Sequence, residues 1–207
     1  MIRIGTVGTN WITQQLVEAL ALSKRYELAA VYSRHEDTAT AFAAKNHAQA
    51  SYTDYRDMLQ QADLDVVYLA SPNSVHFEQA MQAIAHDISV IVEKPAFSNR
   101  QEMIAVQAAL AQHPQVKFFE AARHVHTPNF HAIEKALAGL TTVQGAALTY
   151  MKYSSRYDDV LAGGTPNVFT PEFSGGALQD LGVYPIYLAI ALFGELSLIH
   201  ISEPTRR

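Results

Sequence analysis

Residues 1–20 read MIRIGTVGTNWITQQLVEAL, and the break in the middle of this stretch decides the fold. Ile2, Ile4 and Val7 belong to a β-rich run that stops at Gly8-Thr9-Asn10, after which residues 12–21 turn amphipathic with helical spacing. A strand that ends at a glycine and feeds a helix directly is how a parallel α/β sheet turns backbone N–H groups toward a phosphate. The strict G-x-G-x-x-G spacing is absent, so an ordinary βα turn explains these residues equally well.

The same alternation continues outward from that turn. Strand-like runs at 2–7, 27–33, 66–70, 89–92 and 116–120, with a weaker one at 49–52, are separated by amphipathic stretches at 12–21, 37–46, 55–61, 76–86 and 100–112. One helix between each pair of strands predicts right-handed βαβ units and a doubly wound parallel sheet over residues 1–120. Beyond 120 the texture changes. Residues 128–138 look helical, 142–153 alternate like a long strand, 154–173 form a polar Gly- and Pro-rich loop, and 177–193 are helical but interrupted by Pro185. This predicts a second, partial α/β domain over residues 121–195.

Composition narrows the function classes. Of 207 residues, 49% are hydrophobic and 17% charged, as in an ordinary globular protein, and the net charge of −5 gives no basic patch for nucleic acid or an anionic membrane. With no cysteine the chain has no disulfide or thiol nucleophile, which suits a reducing cytoplasm. A strand at the very start leaves no signal segment, and the apolar run 183–193 is too short for a bilayer. A cytoplasmic protein is therefore expected. No metal site is expected either, because His124 and His126 lack a third ligand at recognisable spacing.

Four segments carry residues suited to chemistry. The second strand ends Val31-Tyr32-Ser33-Arg34, with no carboxylate at its tip to take a ribose 2′-OH. A hydroxyl followed by a guanidinium suits a 2′-phosphate, favouring NADP, with NAD as the alternative. The run Ala70-Ser71-Pro72-Asn73-Ser74-Val75-His76 leaves a strand through small residues and enters a helix, where His76 either meets a ligand or is an ordinary helix residue. Glu93-Lys94-Pro95 places two opposite charges at the carboxyl end of a buried strand, as a ligand site or as a structural ion pair. In Gly175-Gly176-Ala177-Leu178-Gln179-Asp180-Leu181-Gly182-Val183-Tyr184, a helix would put Asp180 and Tyr184 on one face. A phenol beside a lysine cation suits proton shuttling; a capping Asp and a core Tyr are the other reading.

In order along residues 1–195, the segments GTVGTNWIT, AAVYSRH, VVYLASPNSVHFEQAMQAI, VIVEKPA, EAARHVHTPNF and SGGALQDLGVYPIYLAIALFG resemble the glucose-fructose oxidoreductase, inositol dehydrogenase and MocA (Gfo/Idh/MocA) family. The resemblance implies an N-terminal Rossmann domain and a C-terminal domain with a mostly antiparallel sheet that helps the protein form homo-oligomers. It also implies that Gly5, Gly8, Thr9, Asn10 and Trp11 line a pyrophosphate, and that Ser33 and Arg34 meet the adenosine ribose or its phosphate. Ala70, Pro72, Asn73, His76, Glu93 and Lys94 would surround the nicotinamide end. By the same resemblance Lys94, Asp180 and Tyr184 are catalytic, and Arg123 and His124, with Asp180 and Tyr184, contact substrate.

The expected activity is therefore hydride transfer between a nicotinamide cofactor and a carbinol carbon of a sugar, polyol or diol. A non-catalytic dinucleotide-binding sensor is the alternative. Two departures from the family pattern stand out. Asn10 replaces the usual Gly, which Asn tolerates better than most residues. Residues 196–207, LSLIHISEPTRR, read as a non-native tail in place of further sheet strands, with a natural chain expected to continue past Glu195.

Overall fold

The computed structural model describes residues 1–195, so the expected tail at 196–207 lies outside the described residues. Six strands, β1 (Ile2–Val7), β2 (Tyr26–Tyr32), β3 (Ala50–Tyr52), β4 (Val66–Leu69), β5 (Ser89–Val92) and β6 (Phe118–Glu120), form one sheet in the order β3-β2-β1-β4-β5-β6. Every pairing is parallel. Helices α1 (Trp11–Ser23), α2 (Glu36–Lys45), α3 (Tyr55–Gln61), α4 (His76–Ala85) and α5 (Arg100–Gln112) make the crossovers. This is the Rossmann order. The strand sequence reverses direction between β1 and β4, which opens a crevice beyond their carboxyl ends.

Both faces of the sheet are covered, which is why its strands read as nearly continuous apolar runs. On one face Val7, Val67, Leu69, Val90 and Val92 pack against Met58, Ile84 and Val106 of α3, α4 and α5. On the other, Ile4, Val66 and Tyr68 meet Leu20, Ile12 and Leu16 of α1. Each fully buried Val, Leu or Ile contributes roughly 1.5–3 kcal/mol relative to exposure. Gly5 belongs to this packing: a Cβ there would stand 2.7 Å from Leu64 Cδ1.

After β6 the chain continues through α6 (Pro128–Ala138), α7 (Tyr157–Leu161) and α8 (Val183–Phe193). The predicted strand at 142–153 does not form, and with it the predicted antiparallel sheet is absent among the described residues. Strands need a neighbour to satisfy their N–H and C=O groups, and no partner strand lies alongside this segment. The predicted helix at 177–193 is divided into a wide π turn, Leu178–Gly182, and α8. Pro185 sits in the first turn of α8, where its missing N–H costs least. By length and composition Pro171–Phe193 is apolar enough to cross a bilayer. Its Asp180, however, is ion-paired to Lys94 on the Rossmann sheet, so the stretch serves the cleft described next.

Candidate active site

The crevice at the switch point opens into a cleft of about 550 Å³. Its sheet side is built from residues that follow strand ends: Asn10, Trp11 and Ile12 after β1, Ala70 and Asn73 after β4, Glu93 and Lys94 after β5, and Arg123 after β6. The opposite side comes from the later chain, with Tyr150, Lys152, Ser154, Ser155, Arg156, Val168, Phe169, Asp180, Leu181 and Tyr184.

The turn after β1 is shaped for close approach. Gly8 has φ +97, which L side chains rarely adopt, and a Cβ there would stand 2.8 Å from the Ala70 carbonyl oxygen. Its N–H is fixed by the Tyr32 carbonyl at 3.0 Å. Asn10 caps α1: its Oδ1 accepts from the N–H groups of Ile12 (3.0 Å) and Thr13 (3.1 Å), while its Nδ2 donates to the Ala70 carbonyl (3.0 Å). Asn at this position therefore ties the helix start to the end of β4. Trp11 is 67% exposed, and its ring lines the cleft. Thr9 is half-buried beside these residues.

Charged groups gather at the next strand ends. Lys94 Nζ lies 2.6 Å from Asp180 Oδ1 and donates also to the Asp180 carbonyl at 3.0 Å. The same ammonium sits 5.1 Å from the centre of the Tyr184 ring, so carboxylate, ammonium and phenol converge across 90 residues of sequence. Glu93 accepts a hydrogen bond from the buried Tyr68 hydroxyl at 2.6 Å. Burial first, and then the Glu93 charge, push the Tyr68 phenol far above its ordinary range, so it remains a donor. Tyr150 stacks on Tyr184 with ring centres 4.7 Å apart.

Other expected site residues lie elsewhere. Ser33 and Arg34 follow β2 at the same edge of the sheet but outside this cleft; Ser33 Oγ is 2.6 Å from Thr38 Oγ1, and Arg34 is exposed and unpaired among the described residues. Pro72 is exposed at the turn after β4, and Asn73 Nδ2 donates to the Ser174 carbonyl at 3.1 Å. His76 does not reach the cleft. It is wholly buried at the start of α4, with Nδ1 3.0 Å from the Pro95 carbonyl oxygen and Nε2 2.9 Å from that of Ser71. Gly5 likewise lies inside the sheet.

Arg123 lines the cleft and donates to Gln15 Oε1 at 2.9 Å. His124 stands edge-on to Tyr184 (4.8 Å) and Tyr187 (5.6 Å), and neither of its buried ring nitrogens has a hydrogen-bond partner among the described residues. Burial lowers its basicity, and the Tyr184 backbone opposes that shift without reaching hydrogen-bond geometry. Tyr68, Tyr150 and Lys152 had no place in the sequence-based expectation. Tyr68 falls at an apolar strand position, and the other two fall in a stretch expected to be a strand. A phenol that interrupts an otherwise aliphatic buried strand is the one sequence signal by which Tyr68 could be found.

Residues 2–121 match the model of an oxidoreductase family with an NAD-binding Rossmann fold, GFO_IDH_MocA. The chain is 44% identical over 195 residues to the uncharacterized oxidoreductase YgjR of Escherichia coli (strain K12), covering 94% of this chain and 59% of that protein. It is 42% identical over 194 residues to scyllo-inositol 2-dehydrogenase (NADP(+)) IolU of Bacillus subtilis (strain 168), again covering 94% and 59%. The chain thus spans 59% of the length of these curated relatives. Among solved structures, an NAD binding oxidoreductase from Klebsiella pneumoniae superposes with TM-score 0.75 at 27% identity, over 93% of this chain and 53% of that one. With the family match extending over the whole six-stranded sheet and agreeing with its strand order, the chain belongs to the Gfo/Idh/MocA family of oxidoreductases.

Proposed function

We propose that this chain carries the cofactor-binding part, and some of the substrate-binding part, of an NADP-dependent oxidoreductase. The reaction is hydride transfer between a nicotinamide and a carbinol carbon of a sugar, polyol or diol. The observation that carries this reading is the convergence of Lys94, Asp180 and Tyr184 on one cleft at the switch point of a Rossmann sheet.

The residues present fit a dinucleotide. Gly8 lets the turn after β1 lie against the end of β4, where a Cβ would meet the Ala70 carbonyl oxygen, and the α1 N-terminus, the end of a helix that favours a phosphate, begins beside it. Gly8, Thr9, Asn10 and Trp11 would hold the pyrophosphate, and Ala70, Pro72, Asn73 and Glu93 the nicotinamide ribose. Ser33 and the exposed Arg34 would meet a 2′-phosphate. The NADP(+) in the name of the Bacillus subtilis relative supports that choice, and its inositol supports a polyol. When bound, the nicotinamide supplies the hydride acceptor or donor.

The chain's own groups manage the proton. Tyr184 takes the hydroxyl proton of the alcohol as the hydride leaves its carbon, and Lys94 stabilises the negative charge that develops on that oxygen. Asp180 aims the ammonium and accepts from a neighbouring substrate hydroxyl. The test pairs NADPH fluorescence titration with a panel of sugars, polyols and diols that includes scyllo-inositol, assayed with NADP. Binding together with substrate-dependent NADPH formation is the expected result. Binding with no turnover on any member would favour a dinucleotide sensor, and absence of binding would sink both readings.

A further inference from the structure

We propose that Glu120 is a positioning residue that locks the Lys94 segment to α8, and so sets the distance between Lys94 and Tyr184. The proposal rests on the dehydrogenase reading above, because that reading gives the distance its meaning. Glu120 closes β6, and its two carboxylate oxygens serve two different elements. Oε1 accepts from the Ala96 N–H at 2.9 Å, and Oε2 accepts from the Tyr187 hydroxyl. Ala96 lies two residues after Lys94, and Tyr187 lies on α8 three residues after Tyr184, so that the two tyrosines are neighbours on the helix surface. A single side chain therefore spans the cleft from behind.

Ser98 also ties the Lys94 segment to the chain before α8, through Gln179 Nε2 donating to its carbonyl (3.4 Å) and Ser174 Oγ at 2.5 Å, but among the described residues only Glu120 reaches α8 itself by a hydrogen bond. His76 holds the Pro95 carbonyl oxygen from α4 but has no link to α8. The Lys94–Asp180 ion pair does join the two sides, yet its ammonium must turn toward a substrate oxygen for the proposed chemistry. The Glu120 bridge uses neither the ammonium nor the Tyr184 phenol, so it persists while they react. The arrangement suits a permanent tie: burial and the Glu120 carboxylate keep the Tyr187 phenol protonated far above neutral pH, and Ala96 is buried. Hydride and proton transfer lose about 100-fold for a displacement on the order of 1 Å, which is the scale on which such a tie acts.

The full chain is compared with Tyr187→Phe, Glu120→Ala and Glu120→Gln. The readouts are Ala96 amide exchange by NMR, NADPH affinity, and turnover on whichever panel compound reacts. Tyr187→Phe is the same shape without the hydroxyl, so it tests the bridge even where Glu120→Ala fails to fold. Expected are Ala96 exchange faster by roughly fivefold, turnover lower by roughly tenfold, unchanged NADPH affinity, and recovery of both quantities in Glu120→Gln, which keeps an acceptor for Ala96. Wild-type turnover in Tyr187→Phe, or a loss confined to the KM for NADP, would overturn the proposal. If no panel compound reacts with the unmodified chain, the dehydrogenase reading fails. The bridge is then judged by exchange alone, and an unchanged Ala96 rate in Tyr187→Phe would overturn it.

Discussion

The Lys94 ammonium sits 2.6 Å from one partner and 5.1 Å from the ring centre of another, and each substitution around it has a different expected signature. Tyr184→Phe keeps the ring that Tyr150 stacks on and removes only the proton carrier. Turnover is expected to fall by about 10²–10⁴-fold with NADPH affinity retained, measured by steady-state kinetics and fluorescence titration. At Gly8 the expected effect falls on binding instead. Ala there must adopt φ +97, at a cost of roughly 1–2 kcal/mol, and must displace the Ala70 carbonyl 2.8 Å away, so NADPH affinity should drop by more than tenfold.

His76 gives the pH signature of the fold. Burial is the main cause that holds its imidazole below the usual 6.5, against the opposing pull of the Pro95 and Ser71 carbonyls, so the unfolded chain takes up a proton more readily than the native state as pH falls. Its contribution is fully present above the unfolded value and is lost below it, at a rate of at most about 1.4 kcal/mol per pH unit. Melting temperatures measured between about pH 7 and pH 5 should fall more steeply for the unsubstituted chain than for His76→Gln.

At the scale of elements, the site is made by endings. β1, β4, β5 and β6 each stop at the crevice, and the few residues that follow supply its groups. Asn10 joins two of these endings by capping α1 and holding the Ala70 carbonyl. Asn10→Ala should therefore cost about 1 kcal/mol of stability from the cap and also weaken NADPH binding; thermal melts and titration separate the two effects. On the other side the π turn Leu178–Gly182 does the placing. An unbroken α-helix through Pro185 would lose a backbone hydrogen bond at the proline, and the wider turn absorbs that defect while directing Asp180 to Lys94.

Across the whole molecule, burial is uneven. The buried core ends at Phe130, and no residue from 131 to 195 is fully buried, while Met151 is 86%, Leu178 76% and Tyr153 72% exposed. Segments with so few buried contacts open at little cost. Limited proteolysis should therefore cut first between residues 140 and 175 and leave a resistant fragment that contains the six-stranded sheet, identified by mass spectrometry. Sequence alone determined that sheet, because its strand-like runs alternate with amphipathic stretches and β1 ends on a glycine, and the family resemblance rests on segments that hold the ends of β1, β2, β4, β5 and β6. Sequence also marked Lys94, Asp180 and Tyr184, since a charge at a buried strand end and paired polar residues on a helix are local signals. Only the tertiary structure decided that 142–153 forms no strand, that His76 turns inward to two carbonyls, and that Tyr68 and Glu120 brace the cleft from behind. The reason is physical: a strand, a buried imidazole and a bridging carboxylate are each defined by partners far away in the chain, and local spacing carries no record of which partners will arrive.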